Sequence, residues 1–92
     1  MRTISRTAKF KKDYKREAKG QHSDTIDADL LAAISFLATD QTLPERFHDH
    51  PLTGEYTNHR ECHHKPDLLL IYKKPDDSTL RLVRIGSHSE VI

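Results

Sequence analysis

The hydrophobic rhythm of the chain changes halfway along, and the change predicts the fold. Ile26, Leu30, Ile34 and Leu37 recur at helical spacing on one face, so a helix capped by Ser23 or Asp24 is predicted to run to about Thr39. Before it, residues 6–19 read as a lysine-rich helix with a sparse stripe of Phe10 and Tyr14, stopped by Gly20. "RTIS" at 2–5 reads as a short first strand. After "TLPERF" the helical period is lost. Residues 57–64 read as a strand, "DLLLIYKK" is the continuous apolar run of a central strand covered on both faces, and "TLRLVRIG" at 79–86 alternates as another. "HKPD" at 64–67 and "PDDS" at 75–78 are the turns. A strand, two helices and an antiparallel meander predict an α+β fold, one domain over residues 1–92, with the helices on one sheet face.

That meander has a chemical consequence. The chain leaves the 64–67 turn along one strand, reverses at 75–78 and returns along 79–86. The returning strand therefore ends beside the first turn, which predicts that Gly86, Ser87 and His88 lie next to His63 and Asp67.

Charge sharpens this picture. Residues 1–20 carry eight Lys/Arg against Asp13 and Glu17, a balance of +6; residues 21–50 carry six acids against Arg46 alone, a balance of −5. A basic segment this dense attracts phosphate backbones or an acidic partner, although a solvated helix face is the plainer account of charge alone. No run is apolar for long enough to span a bilayer, and "MRTISRTAKF" has no apolar signal region. With Cys62 as the single cysteine, no internal disulfide forms, and a cytoplasmic location is expected.

Five of the seven histidines fall in "FHDHPLTGEYTNHRECHHKPDLLLIY", residues 47–72. Three readings compete for them. A metal site draws on Cys62, His63 and His64, with His48 or His50 as further donors. Neighbouring strand residues point to opposite faces, however, and no paired metal-ligand spacing is present, so no metal is expected. Acid–base cleavage of RNA needs a base for the 2′-hydroxyl, an acid for the leaving 5′-oxygen and a cation for the phosphate. Histidines or a histidine and a carboxylate suit the proton transfers, Arg84 suits the phosphate, and no cofactor is required. The third reading is a polar surface. On it His22, His48, His59 and His64 are inert, Arg60, Glu61, Lys73 and Lys74 are solvated or locally paired strand residues, and Asp67 is a turn residue after Pro66.

The blocks "DHPLTG", "RECHHKPDLLLIYK" and "RLVRIGSHSEV" resemble, in order and spacing, those of YafQ-type toxins of the RelE/ParE superfamily. The resemblance covers essentially the whole chain and implies a RelE/ParE-like fold with a cleft on the sheet. It implies a ribosome-dependent endoribonuclease that cuts translated mRNA in the A site of the 70S ribosome. The implied partner is a cognate antitoxin, commonly a DinJ-type ribbon-helix-helix protein. By motif, the implied catalytic set is His50, His63, Asp67 and His88, with His88 as general acid and His50 or Asp67 as base. Arg84 would stabilise the phosphate, Lys65 and Arg60 are further candidates for RNA contact, and Lys11, Lys12 and Lys15 would meet ribosomal RNA. The chain departs from the pattern at Leu68 and at Val91 or Ile92, where many relatives carry an aromatic ring that would stack on a base. A ParE-like gyrase poison without hydrolysis, and a non-toxic RNA-binding or zinc-stabilised module, are the competing functions.

Overall fold

The computed structural model describes residues 1–92. It contains β1 (Thr3–Arg6), α1 (Ala8–Glu17), α2 (Ile26–Ala38), β2 (His50–Pro51), β3 (Arg60–Lys65), β4 (Leu68–Lys73), β5 (Thr79–Gly86) and α3 (His88–Val91). Short 3-10 turns at Glu45–Phe47 and Gly54–Tyr56 flank β2. The five strands form one sheet in the order β1-β5-β4-β3-β2. The meander β3-β4-β5 is antiparallel as expected, and β1 joins it parallel to β5. No helix is long and apolar enough to cross a membrane.

The α+β expectation holds, and α2 shows what a periodic pattern does and does not fix. Its inward face is Ile26, Leu30, Ala33, Leu37 and Ala38, while Ile34 is only half-buried. The helix starts after Thr25 without a side-chain cap, not at Ser23 or Asp24. α1 is shorter than the predicted 6–19 because the Thr7 hydroxyl accepts from the Phe10 amide at 3.0 Å and fixes the start. Two short elements were not predicted, the two-residue β2 and the C-terminal α3.

α1 and α2 cover one sheet face. Phe10 and the α2 residues pack there with Cys62, Leu68, Leu70, Tyr72, Leu80, Leu82 and Ile85. Fully burying one such side chain stabilises by about 1.5–3 kcal/mol, so this cluster holds the fold together. β4 is buried from Leu68 to Tyr72 because both of its faces are covered, as its unbroken apolar run predicts. Leu69, Ile71, Val83 and Val91 form a smaller cluster, with Leu52 and Tyr56 packed against it.

β1 pairs with β5 only as far as Leu82, which leaves the rest of the β5 edge for α1 to satisfy. Thr7 donates its amide to Leu82 O and its hydroxyl to Val83 O, Ile85 N donates to Asp13, and Arg16 Nη2 donates to Ile85 O. Side chains of the basic helix thus replace a missing strand partner and pin the end of β5 that leads to His88.

Candidate active site

The site is assembled by strand pairing. His50 on β2 stands opposite Glu61 on β3, and His63 lies two residues further along β3 on the same face. His50 Nε2 is 2.8 Å from Glu61 Oε2, and His63 Nε2 is 3.8 Å from the same oxygen. The two imidazole centroids are 5.9 Å apart, and the His48 ring stands edge-on to His63 at 5.8 Å. His50 is also fixed from its other nitrogen, since Nδ1 lies 2.6 Å from the His48 carbonyl oxygen. Both ring nitrogens of His50 thus face acceptor oxygens, which fixes the orientation of the ring.

Burial lowers the His63 pKa, Glu61 opposes that, and the charges of His50, His48 and His88 lower it further, so the net shift is below the ordinary imidazole value. A neutral imidazole with a free lone pair is what a general base requires. The sheet also carries the C-terminal histidine toward this cluster. In its register His63 pairs with Leu69 and Leu69 pairs with Gly86, two residues before His88. His88 is exposed at the start of α3, whose capping box joins Ser87 and Glu90.

The structure does not bring Asp67 to these groups. The predicted 64–67 turn is tighter, because β3 continues to Lys65 through an irregularity after His63 and Lys65 pairs with Leu68. Asp67 sits at the tip and meets the α1–α2 loop, where His22 Nε2 is 2.9 Å from it and the Gln21 amide donates to it. Arg84 is also partly committed. Asp13 takes its Nε at 2.6 Å and its Nη2 at 3.1 Å, leaving Nη1 outside these bonds. That pairing raises the Arg84 pKa and keeps the guanidinium charged. Lys65 pairs with Asp29 at 3.4 Å, and Arg60 pairs with Asp49 at 3.2 Å. Lys11, Lys12 and Lys15 are exposed.

Glu61, read from the sequence as a solvated or locally paired strand residue, is a member of this cluster. It is buried, at 3% exposure. Alternation could have found it, because a carboxylate two residues before His63 must share its face. The same geometry revises the metal argument. Alternation does separate Cys62 and His64 from His63, since Cys62 lies in the core and His64 packs edge-on to Phe47. It does not separate His50, Glu61 and His63, whose donor atoms all lie within 4.8 Å of one another and could hold a metal ion.

The model for the family described as a bacterial toxin of type II toxin-antitoxin system, YafQ, matches residues 2–92. This chain belongs to the YafQ toxin family. It is similar to the mRNA interferase toxin YafQ of Escherichia coli K12, 33% identical over 88 residues covering 94% of this chain and 95% of that one. Among solved structures it is similar to the toxin in the E. coli DinJ-YafQ toxin-antitoxin complex, with a TM-score of 0.82, 34% identity and coverage of 99% and 97%. It is also similar to a metal-bound toxin from Helicobacter pylori, with a TM-score of 0.81, 43% identity and full coverage of both chains. The YafQ fold is thus shared along the whole length.

Proposed function

We infer that this YafQ-family protein is the toxin of a type II toxin–antitoxin system and an endoribonuclease that cleaves mRNA. The observation that carries the mechanism is a half-buried His63 of lowered pKa that meets His50 across Glu61, with His88 at the end of β5 nearby. In the reaction, His63 takes the proton of the 2′-hydroxyl, whose oxygen attacks the adjacent phosphorus. The bond from phosphorus to the 5′-oxygen breaks, and His88 delivers a proton to that leaving oxygen. The products are a 2′,3′-cyclic phosphate and a free 5′-hydroxyl. Arg84 supplies positive charge for the phosphate oxygens, with His50 beside the attacked phosphate. The base role falls to His63 rather than to His50 or Asp67, because both ring nitrogens of His50 are engaged by Glu61 and the His48 carbonyl and Asp67 is held by His22 and Gln21.

The exposed lysines of α1, Lys11, Lys12 and Lys15, would bind the phosphate backbone of ribosomal RNA while translated mRNA enters the site. That reading places the protein in the cytoplasm. A DinJ-like antitoxin is the proposed partner in the inactive complex, by likeness to the toxin solved with DinJ.

The test uses translating ribosomes, an mRNA, and purified wild type beside His88→Ala. Ribosome-dependent cuts in the reading frame should fall by at least about a hundredfold in the variant, the scale of one acid–base group. Equal cleavage by a folded variant would remove His88 from the mechanism. Absence of cleavage by wild type together with stalled gyrase would replace the nuclease reading with the non-hydrolytic one.

A further inference from the structure

We propose that a cavity of about 420 Å³ at the free edge of β3, lined by Arg46, His48, His63, His64, Lys65 and Pro66, binds a backbone phosphate of the RNA flanking the scissile one. The proposal rests on the nuclease reading and deepens it. β2 covers β3 only opposite Arg60 and Glu61, so no strand pairs with the outer edge of residues 62–65. The cavity wraps that edge and is reached by residues from both sheet faces, His63 from one and His64 from the other.

Its chemistry is one-sided. Five of the six lining residues carry a cation or an imidazole, and no carboxylate lines it. Of the nearby acids, Asp29 is held by Lys65 at 3.4 Å and Glu61 by His50 at 2.8 Å. Arg46 has no carboxylate partner; its guanidinium lies 4.7 Å above the Phe47 ring and leaves its N–H fork uncommitted. The His64 ring nitrogens are shielded from bulk water, and the ring lies beside the Asp29 backbone and packs edge-on to Phe47. Arg46 with its free fork, beside Lys65 and His48, is the group that meets an anionic ligand in this cavity.

Continuity with the catalytic cluster selects RNA as the occupant. His63 belongs both to the cavity and to the Glu61 cluster, and His48 stands edge-on to it at 5.8 Å. A strand with its scissile phosphate over His63 therefore passes a neighbouring phosphate into the Arg46 cavity. Phosphate contacts of this kind fix register on the enzyme and read no sequence.

The experiment titrates full-length protein with inorganic phosphate and with an uncleavable 2′-deoxy oligonucleotide, following the His64 and His48 ring signals by NMR. Arg46→Ala is compared with Arg81→Ala, which removes an equal charge from an exposed position on β5. Both signals should shift saturably with the oligonucleotide. Arg46→Ala should weaken binding about tenfold and reduce the slope of log K against log salt by about 0.7, the value for one single-strand phosphate contact. On translating ribosomes the same variant should raise KM with little change in kcat. Unmoved His64 signals, shifts with free phosphate but not with the oligonucleotide, or equal effects of Arg46→Ala and Arg81→Ala would each overturn the subsite. Those results leave the nuclease reading intact if wild type still cuts and His88→Ala does not. Conversely, oligonucleotide-dependent shifts in a wild type that cuts nothing would support the phosphate site and sink the nuclease reading.

Discussion

Asp13→Ala should be among the most destabilising single changes in this protein. The carboxylate is 3% exposed and accepts from Arg84 Nε at 2.6 Å, Arg84 Nη2 at 3.1 Å, Arg16 Nη1 at 3.1 Å and the Ile85 amide at 3.2 Å. Alanine leaves the Arg84 guanidinium, with its side chain 17% exposed, without a counter-charge and the Ile85 N–H without an acceptor. Breaking one side of a buried ion pair costs about 3–5 kcal/mol, and an orphaned buried N–H about 1–3 kcal/mol. Arg16 and the tip of Arg84 can turn to water, which places the total near the lower end, about 3–4 kcal/mol. A chain of this size has only about 5–14 kcal/mol to lose. At about 4–8 °C per kcal/mol, Tm should fall by about 12–30 °C. Thermal and urea unfolding at neutral pH measure this directly. The pH dependence checks the cause. Burial raises the Asp13 pKa, but the Arg84 hydrogen bond, the Ile85 amide and the charges of Arg84 and Arg16 outweigh it, leaving the net value below 3.8. A carboxylate shifted downward contributes stability that is fully present above its unfolded value and lost as pH falls through the lower folded one. The gap between wild type and variant should therefore narrow below about pH 4. A loss under about 1 kcal/mol, or a gap that persists unchanged in strong acid, would refute the argument.

Other consequences are more local. If His63 is the base, cleavage should be lost as pH falls through a value below the ordinary imidazole pKa, and Glu61→Gln should move that acid limb lower still, because the Glu61 charge raises the His63 pKa; a limb that stays put would exclude the coupling. Zinc or copper ions should inhibit cleavage by occupying His50, Glu61 and His63, a chelator should restore it, and Glu61→Gln should blunt the effect. Inhibition unaltered in that variant would place the ion elsewhere. Gly86→Ala should cost about 1–3 kcal/mol and reduce cleavage, since at φ +158° its Cβ would lie 2.6 Å from Arg16 Nη2 and 3.1 Å from Val91 Cγ1, disturbing the helix that carries His88. Wild-type Tm and activity would show that Arg16 yields without cost.

The sequence made the sheet legible where its pattern had a single physical meaning. "LLLIY" had to be a strand covered twice, and the convergence of His63 with His88 followed from two reversals of direction. Motif order made His50 legible, but the signal carried no geometry for it. β2 is only His50–Pro51, too short for any periodicity, so the cross-strand pairing with Glu61 was invisible. α3 had a signal: Ser87 and Glu90 have capping-box spacing, although four residues are too few to declare a helix from pattern alone. Asp67 and Arg84 were legible as residue types and misleading as free groups. Their partners, His22 and Asp13, come from elements distant in sequence, and no local rule pairs residues across so many positions.

Glu61 also shows how the site and the fold oppose one another. Its carboxylate is buried, one oxygen is shared by His50 and His63, and the other has no partner. A buried acceptor left unpaired costs about 1–3 kcal/mol, and His50, with a side chain 46% exposed, gains little from an ion pair that water already screens. Leu69 and Ile71, on the neighbouring strand, pair with His63 and Glu61 and present an apolar surface. Methionine fits such a place with a flexible apolar chain and no unmet hydrogen bond. Glu61→Met should therefore raise the stability of the free toxin, by about 1–2 kcal/mol on the scale of replacing buried ionic groups with apolar ones. Cleavage should fall by at least about tenfold, because the two histidines lose the anion that orients them. Unfolding curves and ribosome assays on the same preparation read both effects. A variant that is less stable than wild type would mean that Glu61 serves the fold, whereas one that is more stable and still fully active would remove it from the site.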